Sequence, residues 1–293
     1  MLKLLIVDGN APGTTRAIER SGGRRQSCLF EDLLRALPEV TTETLFAADL
    51  AVPLPDVTAL RGYDGLLWTG SALNLYERQP ESERQVELMR CALAGGAFVY
   101  GSCWGLQVGV AACGGAVRPN PKGREYGVAR EITLTREGRN HSLLRGRPLV
   151  FDALSLHRDI VDPLPDSVMT VLAGNECTPV QAAELRLGDG VFWGVQYHPE
   201  YGFGDLAAAF RRYGARLLED GFFAGPAELE STIGSYEAAH RADGSNVCLN
   251  LPGLGLGLGL LDARQRALEI HNWVDEVRRR AGARRPQARR RVP

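Results

Sequence analysis

Short apolar blocks and stretches with helical spacing alternate through roughly the first 220 residues. Leu2 to Val7 is an unbroken β-rich run that stops at Asp8-Gly9, the pattern of a strand buried on both faces. Residues 9–26 are polar and glycine-rich and read as a loop; Leu29, Leu33, Leu34 and Leu37 then mark a helix. Gly65 to Thr69 and Ala97 to Gly101 read as two further buried strands, separated by a polar helix over about 80–94. Leu106, Val110 and Ala111 place another helix directly after the third strand. Strand–helix–strand order with short connections predicts an α/β fold, a mostly parallel central sheet with helices on both faces. From about residue 126 the texture changes. Val128–Leu134, Leu149–Phe151, Val168–Leu172 and Val191–Gln196 are short strand candidates with few helices between them, which predicts a small antiparallel patch. A helix over about 204–219 closes this region, so residues 1–225 form one expected domain.

Past Gly225-Pro226 lies an extension, 226–293, with one expected amphipathic helix at about 262–281. Asp262 and Gln265 supply its cap, and Ile270, Trp273, Val274 and Val277 its apolar stripe. The alternating glycines and leucines of 253–259 fail dinucleotide-loop spacing, because position 258 is leucine. Eight arginines and no acid fall within 278–291, an expected disordered tail. Without them the body holds 26 basic against 35 acidic side chains, which argues against a nucleic-acid grip. The 293 residues include no apolar run of membrane-spanning length and no leader-like start. Six cysteines (28, 91, 103, 113, 177 and 248) lie far apart with no C-x-x-C pair, so neither disulfides nor a metal site is expected and a reducing cytoplasm fits best.

Candidate chemistry sits in three places. Gly101-Ser-Cys-Trp-Gly-Leu-Gln107 joins a buried strand to a helix. Small residues around a cysteine permit the sharp turn of a nucleophile elbow, and the following helix points its free N–H groups at the thiol. Gln196-Tyr-His-Pro-Glu200 follows another strand. His198 can accept a thiol proton and return it to a leaving amine, while Glu200, two residues on, can hold the far imidazole nitrogen. Thr69-Gly-Ser71 ends a third strand, where a backbone N–H can join that of Trp104 in an oxyanion hole. Each piece alone also fits a plain reading: an inert core cysteine, a surface turn, a strand end. Asp159 and Asp205 read as capping or surface groups rather than catalytic acids.

Together these pieces resemble a class I glutamine amidotransferase domain, over roughly residues 2–220. That family carries a Gly-x-Cys-x-Gly-x-Gln elbow and a later His-Pro-Glu. The resemblance implies a Cys103–His198–Glu200 triad, an oxyanion hole from Trp104 and from Gly70 or Ser71, and a substrate contact from Gln107. Ser155-Leu-His-Arg-Asp159 resembles the family's substrate-binding Ser-His-Gly-Asp segment, implying roles for His157, Arg158 and Asp159. It departs from that pattern by the inserted Leu156 and by Arg158 in place of glycine. Ser102 likewise replaces the usual aliphatic residue before the nucleophile. The resemblance implies no cofactor, a glutamine or γ-glutamyl substrate, and one of three uses. The first is ammonia release for a separate synthetase subunit. The second is stand-alone hydrolysis of γ-glutamyl conjugates, which the Thr-Gly-Ser and His-x-Asp forms favour somewhat. The third is a catalytically silent binding protein.

Overall fold

The computed structural model describes residues 1–242 and 258–289. In chain order the elements are β1 (Leu2–Asp8), α1 (Pro12–Arg20), α2 (Gln26–Arg35), β2 (Val40–Phe46), α3 (Val57–Leu60), β3 (Gly65–Trp68), α4 (Pro80–Ala94), β4 (Phe98–Ser102) and α5 (Trp104–Ala112). There follow β5 (Val117–Pro119), β6 (Glu125–Leu134), β7 (Val150–His157), β8 (Asp159–Val161), β9 (Met169–Gly174), β10 (Ala182–Leu187) and β11 (Gly190–Val195). Helices α6 (Phe203–Glu219), α7 (Pro226–Ala242), α8 (Leu258–Leu261), α9 (Ala263–Arg266) and α10 (Leu268–Arg289) complete the description.

The described strands form a nine-stranded sheet in the order β2-β1-β3-β4-β11-β10-β9-β6-β7, with β5 and β8 paired separately. Pairing is parallel from β2 to β11 and antiparallel from β11 to β7. Alternate residues of β1, β3 and β4 supply two cores. Leu4, Ile6, Leu67, Phe98 and Tyr100 face α2 and α10; Leu5, Val7, Leu66, Trp68 and Val99 face α4 and α5. β1, β3 and β4 are therefore buried on both sides, as their unbroken apolar runs require. Four parallel strands (β1, β3, β4 and β11) bring their C-terminal ends to one edge of this sandwich, the usual ligand edge of an open α/β sheet.

Several elements differ from the sequence expectation. The stretch 9–26 contains α1, opened by Pro12 and burying only Ile18, so it has no apolar stripe to read. β2 was not anticipated, because it is nowhere fully buried and reads as mixed polarity. The extension carries α7 besides the expected terminal helix; α7 buries Leu229, Ile233, Tyr236 and Ala239 against α6, on a stripe diluted by small residues. Asp262 does cap a short helix, but the chain turns at Ala267 before α10, and α10 runs as helix to Arg289 where a disordered tail was expected. The glycine–leucine run up to residue 257, Cys248, Arg290 and Arg291 lie outside the described residues.

α10 is the second layer of one sheet face. Trp273 packs on Phe98 and Tyr100, with ring centroids 5.9 and 5.8 Å apart. Gly65 leaves room for it: a Cβ there would lie 2.8 Å from the Trp273 ring. A buried bidentate ion pair joins Glu269 to Arg147 at 2.7 and 2.8 Å, and the Tyr197 hydroxyl donates to the same carboxylate at 2.9 Å.

Candidate active site

Cys103 follows β4 and holds the N-cap position of α5 with φ 50° and ψ −102°, a region that L residues rarely occupy. Close packing around the turn enforces this. A Cβ on Gly101 would lie 2.7 Å from the backbone of Gly105, and one on Gly105 would lie 2.9 Å from the Trp68 carbonyl. The Cys103 amide donates to the Val195 carbonyl at 2.8 Å, which ties the elbow to the end of β11. Its Sγ faces the Leu156 carbonyl at 3.9 Å. The amides of the first α5 turn, Trp104 among them, have no intrahelical partner by helix geometry and open beside the thiol.

His198 and Glu200 follow β11. The His198 amide donates to the Leu154 carbonyl at 2.8 Å, so β7 closes over the sheet edge from the far side. Nδ1 of His198 lies 2.7 Å from Oε1 of Glu200, and a carboxylate only accepts, so this nitrogen carries the proton. Tyr201 stacks on the imidazole at 4.0 Å between centroids. Burial alone would lower the His198 pKa. The Glu200 carboxylate and the Cys103 sulfur outweigh it and push the value up to about 10. The structure thus brings Cys103, His198 and Glu200, separated by up to 97 residues of chain, into one electrostatic unit.

The remaining expected site residues fall into two sets. Gly70 lies against the imidazole: a Cβ on it would sit 2.8 Å from Cε1 of His198. Ser71, Gln107, Arg158 and Asp159 line a cavity of about 170 Å³ that reaches Cys103, together with Arg124 and Tyr76. Burial raises the Asp159 pKa, and Arg158 and the Tyr76 hydroxyl at 3.4 Å partly offset it. His157 also borders the cavity, but both its ring nitrogens face acceptors, the Asp159 carbonyl at 3.0 Å and Glu125 at 2.8 Å. It braces the strand turn that carries Arg158 and Asp159. Asp205 acts as the cap its position suggested, accepting from the Gly202 amide at 2.9 Å.

Three supports went unread in the sequence. Asp8 and Asn10 sit at the end of β1: Asp8 accepts from the amides of Asn10 and Ser27, and Asn10 accepts from the Ala72 amide, fixing the loop that holds Gly70. Glu125 accepts from His157, Asn175, Thr178 and Gln181 at 2.6–3.1 Å, anchoring the cavity wall from below. Ser102 donates to Glu200 at 3.1 Å. The polar strand end Asp8-Gly-Asn10 was the visible signal for the first; Glu125 opens a strand of mixed polarity that hides it, and Ser102 is an isolated polar residue ending an apolar strand. Among the described residues, no group of three or more His, Cys, Asp or Glu is placed to hold a metal ion, and no helix is long and apolar enough to cross a membrane.

Comparison with known proteins bears directly on this arrangement. The model of the family "Glutamine amidotransferase class-I" matches residues 52–213, which include both the elbow and His198-Pro-Glu200. The chain belongs to the class I glutamine amidotransferases. Among curated relatives of this family, a γ-glutamyl-L-1-hydroxyisopropylamide hydrolase from a Pseudomonas species is 34% identical over 284 residues, 94% of this chain and 93% of that one. GMP synthase from Thermosipho africanus is 37% identical over 110 residues, 36% of this chain and 20% of that enzyme. A crystal structure of a glutamine amidotransferase from Thermotoga maritima shares the fold, with a TM-score of 0.61 at 19% identity over 93% of this chain and 98% of that one. As a class I amidotransferase with a hydrolase relative aligned along nearly its whole length, the protein is an enzyme of hydrolase type.

Proposed function

We propose that the protein is a stand-alone hydrolase of γ-glutamyl amides, working through a Cys103–His198–Glu200 triad. Cys103 thiolate attacks the γ-carbonyl carbon, and the amides of Trp104 and Gly70 hold the oxyanion. As the C–N bond breaks, imidazolium His198 gives its proton to the departing amine, leaving a γ-glutamyl thioester. His198 then takes a proton from water, whose oxygen attacks the thioester; the C–S bond breaks, glutamate departs and the Cys103 thiolate beside imidazolium His198 is restored. Arg158 and Arg124 suit the α-carboxylate of the glutamyl half and Asp159 its α-ammonium, with Gln107 at the cavity floor.

The observation that carries this reading is the end-to-end similarity to a γ-glutamyl amide hydrolase, which takes in the helices after residue 225. The alignment with GMP synthase covers only a fifth of that enzyme, and it supports the amidotransferase chemistry more than the need for a synthetase.

Purified protein incubated alone with glutamine and with γ-glutamyl amides of small alkylamines, with glutamate and amine quantified, tests the proposal. Partner-free turnover of the alkylamides is the expected result. Slow glutamine cleavage that rises sharply only on adding a synthetase would favour ammonia donation instead. No turnover, with no labelling of Cys103 by a γ-glutamyl electrophile, would favour a silent binding protein.

A further inference from the structure

Ser102 is fully buried at the last position of β4. Strand alternation places it on the same side as Tyr100, the α10 side, directly beneath the elbow. Its hydroxyl lies 3.1 Å from Oε1 of Glu200, the same oxygen that meets Nδ1 of His198 at 2.7 Å. The carboxylate only accepts, so Ser102 donates. The other oxygen, Oε2, is buried with no protein partner among the described residues. Both hydrogen bonds therefore converge on one atom.

We propose that Ser102 is a positioning residue that tempers the pull of Glu200 on His198. By donating to Oε1 it draws part of the carboxylate's charge away from the imidazole, so His198 surrenders its proton to a leaving amine more readily than beside a bare carboxylate. The proposal rests on the triad reading given above. It explains why a hydroxyl, rather than an aliphatic side chain, precedes this nucleophile.

The other groups facing this pair come from several elements. Cys103 approaches from the elbow, Tyr201 from the segment after β11, and Tyr100 from β4. Arg212 and Asp205 reach Tyr201 from α6, and Glu269 reaches Tyr100 from α10. Burial holds both tyrosines far above their ordinary pKa of 10, and Arg147 neutralises Glu269. Removing the Ser102 hydroxyl leaves the charges of all these groups in place, so a change at His198 reports the Ser102–Glu200 bond.

The test is the His198 pKa in wild type, Ser102→Ala and Ser102→Thr, read by NMR titration of ¹³C-labelled histidine. The resonance is assigned by its loss in His198→Ala. Ser102→Ala should raise the value by roughly half a unit to one unit, and the alkaline limb of kcat/KM should move with it. Ser102→Thr, which keeps the hydroxyl, should titrate as wild type. An unchanged or lowered value in Ser102→Ala overturns the proposal, as does a threonine variant that shifts like alanine. Thermal unfolding shows whether each variant folds; Ser102→Cys, a similar volume with a weaker donor, should fall between wild type and alanine and replaces alanine if that variant folds poorly. Undiminished turnover in Cys103→Ala would instead sink the triad reading, while the histidine titration still decides on Ser102.

Discussion

Folding raises the proton affinity of His198, because Glu200 and the Cys103 sulfur outweigh the cost of burying a charged ring. The folded chain thus keeps a proton that the unfolded chain releases near 6.5. This contribution to stability is complete below 6.5 and is lost as pH climbs toward about 10. For activity, the same shift predicts that the alkaline limb of kcat/KM lies well above the ordinary histidine value, measurable in a pH–rate profile; a limb near 6.5 would contradict the electrostatic account. Gly70 offers a second check. A methyl group there would drive His198 from its place, so Gly70→Ala should lower kcat by about 10²-fold while the fold survives, as circular dichroism can confirm. The residues of the proposed triad stood out because a turn that needs small neighbours and a His-x-Glu pair leave marks in spacing. The role of His157 was not, since its ring faces Glu125, a partner 32 residues away that no local pattern announces. Ser102 was visible as an oddity, and only the folded chain supplies its acceptor.

At the scale of elements, the sequence marked those with a strong apolar period. β1, β3, β4 and the Ile270–Val277 stripe bury what their patterns said they would. α1 and α7 escaped because each meets its neighbours through few or small residues. The destination of α10 escaped as well: an amphipathic stripe announces a partner without naming it. Among the described residues, none beyond 225 lines that cavity, whereas Trp273, Val274 and Val277 fill one face of the parallel sheet. Trp273→Ala should therefore cost about 3–5 kcal/mol in urea unfolding. Breaking the buried Arg147–Glu269 pair by Glu269→Ala should cost a similar amount, since it strands a guanidinium in the core. A chain ending near residue 225 should lose cooperative unfolding altogether; full turnover and normal stability in that truncation would contradict the layered architecture.

For the whole molecule, the proposed partner-free hydrolysis rests on the end-to-end similarity to a γ-glutamyl amide hydrolase. The arginine-rich end is partly neutralised within its own helix, where Arg278 pairs with Asp275, and Arg279 and Arg280 pair with Glu276. Arg280 also lies over the Phe98 ring at 3.9 Å, so it belongs to the packing of α10 on the sheet. What links these scales is the proposed chemical event, acylation of Cys103 by the glutamyl half of an amide with no second protein present. Acid-quenching the purified enzyme during turnover of a γ-glutamyl alkylamide and weighing its peptides tests that event directly. The account predicts one γ-glutamyl group on the peptide containing Cys103, and loss of activity by about 10⁴-fold or more in Cys103→Ala. Turnover that continues at the wild-type rate in Cys103→Ala, or an acyl group carried on any other residue, would contradict it.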